Sequence, residues 1–215
     1  MPASEKREYR NMKIETRDDG EERMIVSGYA STFGEPYMLM SWDGVELWEI
    51  VDADAFNETD MSDVIMQYDH TGRVFARTRN NTLIVDTDDH GLKIEADLSG
   101  TEIGRELFEE IRGGYTDRMS FGFTVRDEYE EREKLDSGVV RYIRHIAAIN
   151  KLYDVSAVSI PANDGTEIGA DATTRSIRSF CDGVIAKVQA ERLVAEKLEL
   201  ERQRAIVKAK ALKGE

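Results

Sequence analysis

A β-rich α+β domain followed by a long helical tail is the fold class this sequence predicts. Three observations lead there. Apolar runs of strand length recur between turn-forming clusters from residue 24 to residue 160. A single amphipathic segment of helix length interrupts them, and from about residue 176 the composition changes to a charge-dense helical pattern. Strands gathered around one helix, and not alternating with helices, favour an α+β arrangement over a doubly wound sheet.

The elements follow in order. Residues 1–20 are polar and charged, end in Asp18-Asp19-Gly20, and read as a flexible N-terminal arm. Residues 24–30 read as the first strand, followed by a long connection through Phe33-Gly34-Glu35-Pro36. Residues 46–51 form a second strand, and Asp52-Ala53-Asp54-Ala55-Phe56 a short helical turn. The apolar stretch Val64-Ile65-Met66-Gln67-Tyr68 is a compact strand that stops at Asp69-His70-Thr71-Gly72. Residues 82–86 and 92–98 are two strands joined by Asp88-Asp89-His90-Gly91, a hairpin pattern.

Ser99 or Thr101 caps a helix over 102–112 that carries Ile103, Leu107, Phe108 and Ile111 on one face. A strand over 118–126, a charged loop over 127–137, a long strand over 139–149 and a last strand over 154–160 complete the domain. Pro161-Ala162-Asn163-Asp164-Gly165 stops the last of these. The domain is therefore placed at 21–164, with a linker at 165–175 rich in Gly, Ala, Thr and Asp. Residues 176–215 form an amphipathic helical tail. Ile177, Cys181, Val184 and Val188 make a stripe too narrow for a core helix, and the heptad breaks at Glu191. Such a tail pairs with another copy of the chain, giving a homo-oligomer, or docks to a partner.

Composition narrows the chemistry. The chain has 215 residues, 29 Lys and Arg against 43 Asp and Glu, and a formal net charge of −14. Nucleic-acid binding needs clustered cations to neutralise phosphates, so no nucleic-acid partner is expected. No apolar run approaches the ~20 residues that span a bilayer, so no membrane partner is expected either. Met1-Pro2-Ala3-Ser4-Glu5-Lys6-Arg7 has no apolar secretory segment, and one cysteine permits no internal disulfide. Synthesis in the cytoplasm is the expectation. The three histidines (His70, His90, His145) lie far apart in sequence and no cysteine pair exists, which disfavours a metal site. Neither a phosphate-binding loop of the Walker type nor a dinucleotide fingerprint appears.

The richest segment runs from Gly114 to Phe123. Within it Met119, Phe121, Phe123 and Val125 share one parity and read as the buried face of a strand. Ser120, Gly122 and Thr124 take the other face, where Gly122 leaves space for an extended peptide beside the Ser120 hydroxyl. That is what a nucleophilic serine needs, and equally what any solvated strand serine shows. A serine nucleophile also requires a base and a group that orients it. His90 sits in a turn and His145 mid-strand, both ordinary structural positions. His70 stands at the end of an apolar strand, where active residues and plain turn residues both occur. Asp154 opens the last strand, either solvated at an edge or accepting the Nδ1 proton of a histidine.

The order matters more than any one member. Tyr68-Asp69-His70, then a helix, then Met119-Ser120-Phe121-Gly122-Phe123, then Tyr153-Asp154-Val155-Ser156-Ala157-Val158-Ser159-Ile160-Pro161-Ala162 resembles the prohead maturation serine proteases of tailed phages. Gly28-Tyr29-Ala30-Ser31-Thr32-Phe33 and the Phe56 region extend the likeness, which spans roughly residues 25–163. The resemblance implies a fold similar to the herpesvirus capsid proteases, with a β-barrel-type core and flanking helices. It implies a serine endopeptidase with Ser120 as nucleophile, His70 as general base and Asp154 as third member. In that third position many relatives carry Glu, and His145 is the alternative on the herpesvirus His-Ser-His pattern.

The implied substrates are scaffold and major capsid protein N-terminal segments, cleaved inside the immature capsid in the host cytoplasm, with self-cleavage at the linker. No metal or organic cofactor is implied. Two rivals remain: a non-catalytic assembly or scaffolding protein on the same β domain, and an unrelated esterase. The second is disfavoured because no Gly-x-Ser-x-Gly elbow occurs.

Overall fold

Two long strands organise the sheet. In the computed structural model, which describes residues 7–18, 23–158 and 172–213, strands β1 to β4 are Arg7–Asp18, Met24–Thr32, Tyr37–Trp42 and Val45–Val51. Then come β5 (Ile65–Tyr68), β6 (Thr71–Arg77), β7 (Leu83–Thr87), β8 (Gly91–Asp97), helix α1 (Glu102–Arg112), β9 (Arg118–Lys134) and β10 (Val140–Val158). Helix α2 spans Ala172–Lys213, and a second compact unit begins within it at Ile177.

The strand order is β3-β4-β10-β9-β1-β2-β8-β7, with β5 joined to β10 and β6 to β5. The α+β class is as predicted. The barrel-type closure is not formed among the described residues, because the sheet ends at β3 on one side and β7 on the other.

Three readings of the sequence need correction. Residues 7–18 are not a flexible arm but β1, paired to β2 and to β9 with Asn11 opposite Ser120. The polar residues of this stretch obscure its backbone role, which is to fill the gap between two other strands. The charged loop at 127–137 is largely the continuation of β9, which runs to Lys134. Across the ladder Arg144 bonds Glu128 at 2.8 Å, Arg141 reaches Glu133 at 3.5 Å, and Tyr129 stacks on His145 at 4.4 Å. The two strands predicted at 139–149 and 154–160 are one strand, β10, whose register shifts between Ile146 and Asp154 absorb the irregular middle. Of the linker at 165–175, residues 165–171 lie outside the described residues and 172–175 belong to α2.

The core lies on one face of β9 and β10 and beneath α1. Met119, Phe121 and Phe123 are fully buried with Val155, Ala157, Met66, Leu107 and Phe108. Phe121 stacks on Phe123 at 4.7 Å between ring centroids. Thr101 caps α1 by accepting the Gly104 N–H at 3.1 Å, and Gly114 at φ 73° lets the chain leave the helix. Gly104 is required by proximity, since a Cβ there would stand 2.3 Å from the Leu98 carbonyl oxygen. This seats α1 against the end of β8 and delivers the chain to the start of β9.

Candidate active site

The antiparallel register of β9 with β10 determines which side chains meet. Ser120 lies opposite Ser156, and Gly122 opposite Asp154. Directly opposed residues project to the same side of a sheet, and residues two apart share that side. Ser120, Gly122, Asp154 and Ser156 therefore occupy one face, opposite the core face of Met119, Phe121, Val155 and Ala157. Asp154 is the diagonal neighbour of Ser120, roughly 7–8 Å away between backbones.

His70 reaches this face from a hairpin. Tyr68 pairs with Thr71, so Asp69 and His70 are the two central residues of the β5–β6 turn, with φ of 47° and 57°. Positive φ at both centres is the primed turn whose twist suits a two-residue hairpin, and Asp and His are among the side chains that tolerate it. The Asp69 N–H donates to the Ala157 carbonyl at 2.9 Å, which ties the turn to β10. From there the His70 Nδ1 lies 2.5 Å from Asp154 Oδ1. The same oxygen accepts the Ser156 hydroxyl at 2.9 Å. Asp154 is 1% exposed and Ser156 fully buried.

The serine and the carboxylate are buried, while the His70 side chain is 16% exposed. Ser120 is 1% exposed, so the face expected to lie open beside Gly122 is covered. Ser120 Oγ, Thr124 Oγ1 and Asp154 Oδ2 are all buried without a hydrogen-bond partner among the described residues. All three belong to this one face of β9 and β10. Buried polar atoms are almost always paired, and of the buried side-chain atoms without a hydrogen bond among the described residues these three share this face while the fourth, His145 Nε2, lies far along β10.

The structure thus brings His70 and Asp154 into contact and sets Ser120 on the face they occupy. It does not bring His145 there. His145 is bonded through Nδ1 to Asp52 Oδ1 at 2.8 Å, and its Nε2 is 3.3 Å from Glu131. It lies opposite Tyr129 in the ladder, nine residues before Asp154, or roughly 30 Å along β10. Ser156 is the residue that sequence reasoning passed over. Its spacing of two from Asp154 on a strand was the available clue. Among the described residues no cluster of His, Cys, Asp and Glu is arranged to hold a metal, and no helix is long and apolar enough to cross a membrane.

Comparison with known proteins adds the family. A family model described as caudovirus prohead serine protease matches residues 10–180. No curated protein sequence matches the chain. Among solved structures, the bacteriophage T4 capsid assembly protease is similar over 70% of this chain and 98% of its own, at 13% identity and a TM-score of 0.32. With 171 consecutive residues matched, from the middle of β1 into α2, the chain belongs to the caudovirus prohead serine protease family.

Proposed function

We propose that the chain is the maturation endopeptidase of a phage prohead, with Ser120 as nucleophile, His70 as general base and Asp154 as the group that orients the base. The observation that carries this reading is the 2.5 Å contact of His70 Nδ1 with Asp154 Oδ1, on the same strand face as an unbonded serine hydroxyl. Family membership supports the reaction class.

In the proposed reaction Asp154 accepts a hydrogen bond from the His70 Nδ1–H and so keeps Nε2 unprotonated. Ser120 Oγ attacks the carbonyl carbon of a peptide bond while Nε2 takes its proton. The tetrahedral intermediate collapses as His70 returns that proton to the leaving amine, and an acyl ester on Ser120 remains. Water attacks the ester carbonyl as the same imidazole takes its proton, and the imidazolium then returns that proton to Ser120 Oγ as the acyl group leaves. The buried carboxylate stabilises the imidazolium in both steps. Because Ser120 and Asp154 are each 1% exposed, a peptide reaches the hydroxyl only once this face is uncovered.

The substrates on this reading are scaffold and capsid-protein N-terminal segments within the immature shell, and the chain's own segment around residues 165–175. A non-catalytic assembly protein on the same β domain has no use for His70 on the serine's face. The deciding experiment assembles particles with Ser120→Ala protein. The expected result is immature shells that retain full-length scaffold and capsid protein, beside cleaved forms with the unaltered chain. Normal processing in the Ser120→Ala particles would overturn the proposal.

A further inference from the structure

Asp154 has one oxygen that serves two donors. His70 Nδ1 approaches Oδ1 at 2.5 Å and Ser156 Oγ at 2.9 Å, while Oδ2 has no partner among the described residues. A carboxylate bonded through one oxygen by a single donor is free to rotate about its last side-chain bond and to exchange its oxygens. A second donor on that oxygen, fixed to the same strand two residues away, removes that freedom. Ser156 is fully buried and lies opposite Ser120, so its hydroxyl has no solvent to turn to. It points along β10 to Asp154.

We infer that Ser156 is a positioning residue for the proposed reaction: its hydroxyl locks the Asp154 carboxylate so that Oδ1 faces the His70 Nδ1–H. The inference rests on the catalytic reading above and deepens it. Two physical effects follow from the shared oxygen. The imidazole plane is held in one orientation, which keeps Nε2 aimed at a constant place. The negative charge on Oδ1 is also divided between two donors, so the proton of the short contact stays on Nδ1 and does not drift to the carboxylate. Ser156 gives its hydrogen bond to Asp154 and none to the Ser120 hydroxyl, which has no partner among the described residues.

The test uses the full chain and a fluorophosphonate probe, whose phosphorus is attacked by an activated serine oxygen with loss of fluoride. In Ser156→Ala the maximal labelling rate should fall about tenfold, the size of one charge-assisted hydrogen bond, while the half-saturating probe concentration stays within twofold. Ser156→Thr, which retains the hydroxyl, should restore the rate to within about threefold. A readout independent of labelling is the downfield proton resonance of the His70 Nδ1–H. It should move and broaden in Ser156→Ala and return in Ser156→Thr.

Unchanged labelling and an unmoved resonance in Ser156→Ala would overturn the inference. So would a loss that Thr does not recover while thermal melting shows both variants folded, since a hydroxyl in the same place would then be insufficient. If Ser120→Ala or His70→Ala still labels at the original rate, the catalytic reading itself fails. If both abolish labelling while Ser156→Ala does not alter it, only the role of Ser156 is lost.

Discussion

Replacing Asp154 with Asn separates the chemical role of this side chain from its structural one. The substitution keeps shape and volume at a position 1% exposed. It changes what sits opposite the His70 Nδ1, which is 2.5 Å from Oδ1. If the amide nitrogen turns to the ring, the histidine must accept at Nδ1 and carry its proton at Nε2, where it cannot take one from Ser120. If the amide oxygen turns there, the tautomer survives but the imidazolium loses its counter-charge. Either outcome costs about 10^4-fold in rate, roughly 5.4 kcal/mol of barrier at 1.36 kcal/mol per decade.

The stability effect is much smaller. Two hydrogen bonds, from His70 and Ser156, lose their charge assistance at about 1 kcal/mol each. Removing a buried charge offsets part of that loss. A net change within about 2 kcal/mol corresponds to a melting shift of no more than ~8 °C for a chain of this size. The assay pairs fluorophosphonate labelling rates with thermal melts of the unaltered and Asp154→Asn proteins. Labelling within tenfold of the unaltered chain would refute the reasoning. So would a rate loss accompanied by loss of the folded state at the assay temperature.

Other expectations concern the scaffold and the rejected histidine. His145→Gln should leave labelling within twofold, because roughly 30 Å of β10 separates it from Asp154; a hundredfold loss in folded protein would restore His145 as a candidate. Phe121→Ala should cost about 3–5 kcal/mol in urea unfolding, since the ring is fully buried and stacked on Phe123, and a cost under about 1 kcal/mol would place the core elsewhere. The carboxyls of Asp60, Asp63 and Asp88 are held below the usual range, chiefly by hydrogen bonds from Lys151, Arg77 and Tyr29 respectively. Lowered folded-state values mean that the unfolded chain binds more protons in acid. Their stabilisation is therefore present above about pH 4 and is lost as pH falls through the folded values. Urea midpoints measured from pH 6 to pH 3 should decline, and less steeply in the Asp60→Asn, Asp63→Asn double variant.

What could be read in the sequence was set by local periodicity. Alternation over 119–125 identified the apolar face of β9 that joins the core, and Thr101 with the i, i+4 spacing of Leu107 and Ile111 identified α1. Turn chemistry located the β7–β8 hairpin and placed His70 at a strand end. Where partners are distant, the reading failed. β1 is polar and becomes a strand only because β2 and β9 flank it. The acidic end of β9 reads as a loop because its ladder partners and the cations that meet Glu133 and Glu128, Arg141 and Arg144, come from β10.

The site shows the same division. Ser120, His70 and Asp154 were visible as residue types in a familiar order. The cross-strand register that puts Ser156 opposite Ser120, and Asp154 opposite Gly122, is a long-range pairing that no local pattern specifies. The covering of Ser120 was equally invisible, since strand parity gives a direction and not an exposure.

The most direct measurement is peptide mass spectrometry of the full chain after fluorophosphonate treatment. The account predicts one adduct, on Ser120 within the β9 peptide, present in the unaltered protein and missing from His70→Ala. An adduct on any other serine, or an equal yield on Ser120 without the imidazole of His70, would contradict it.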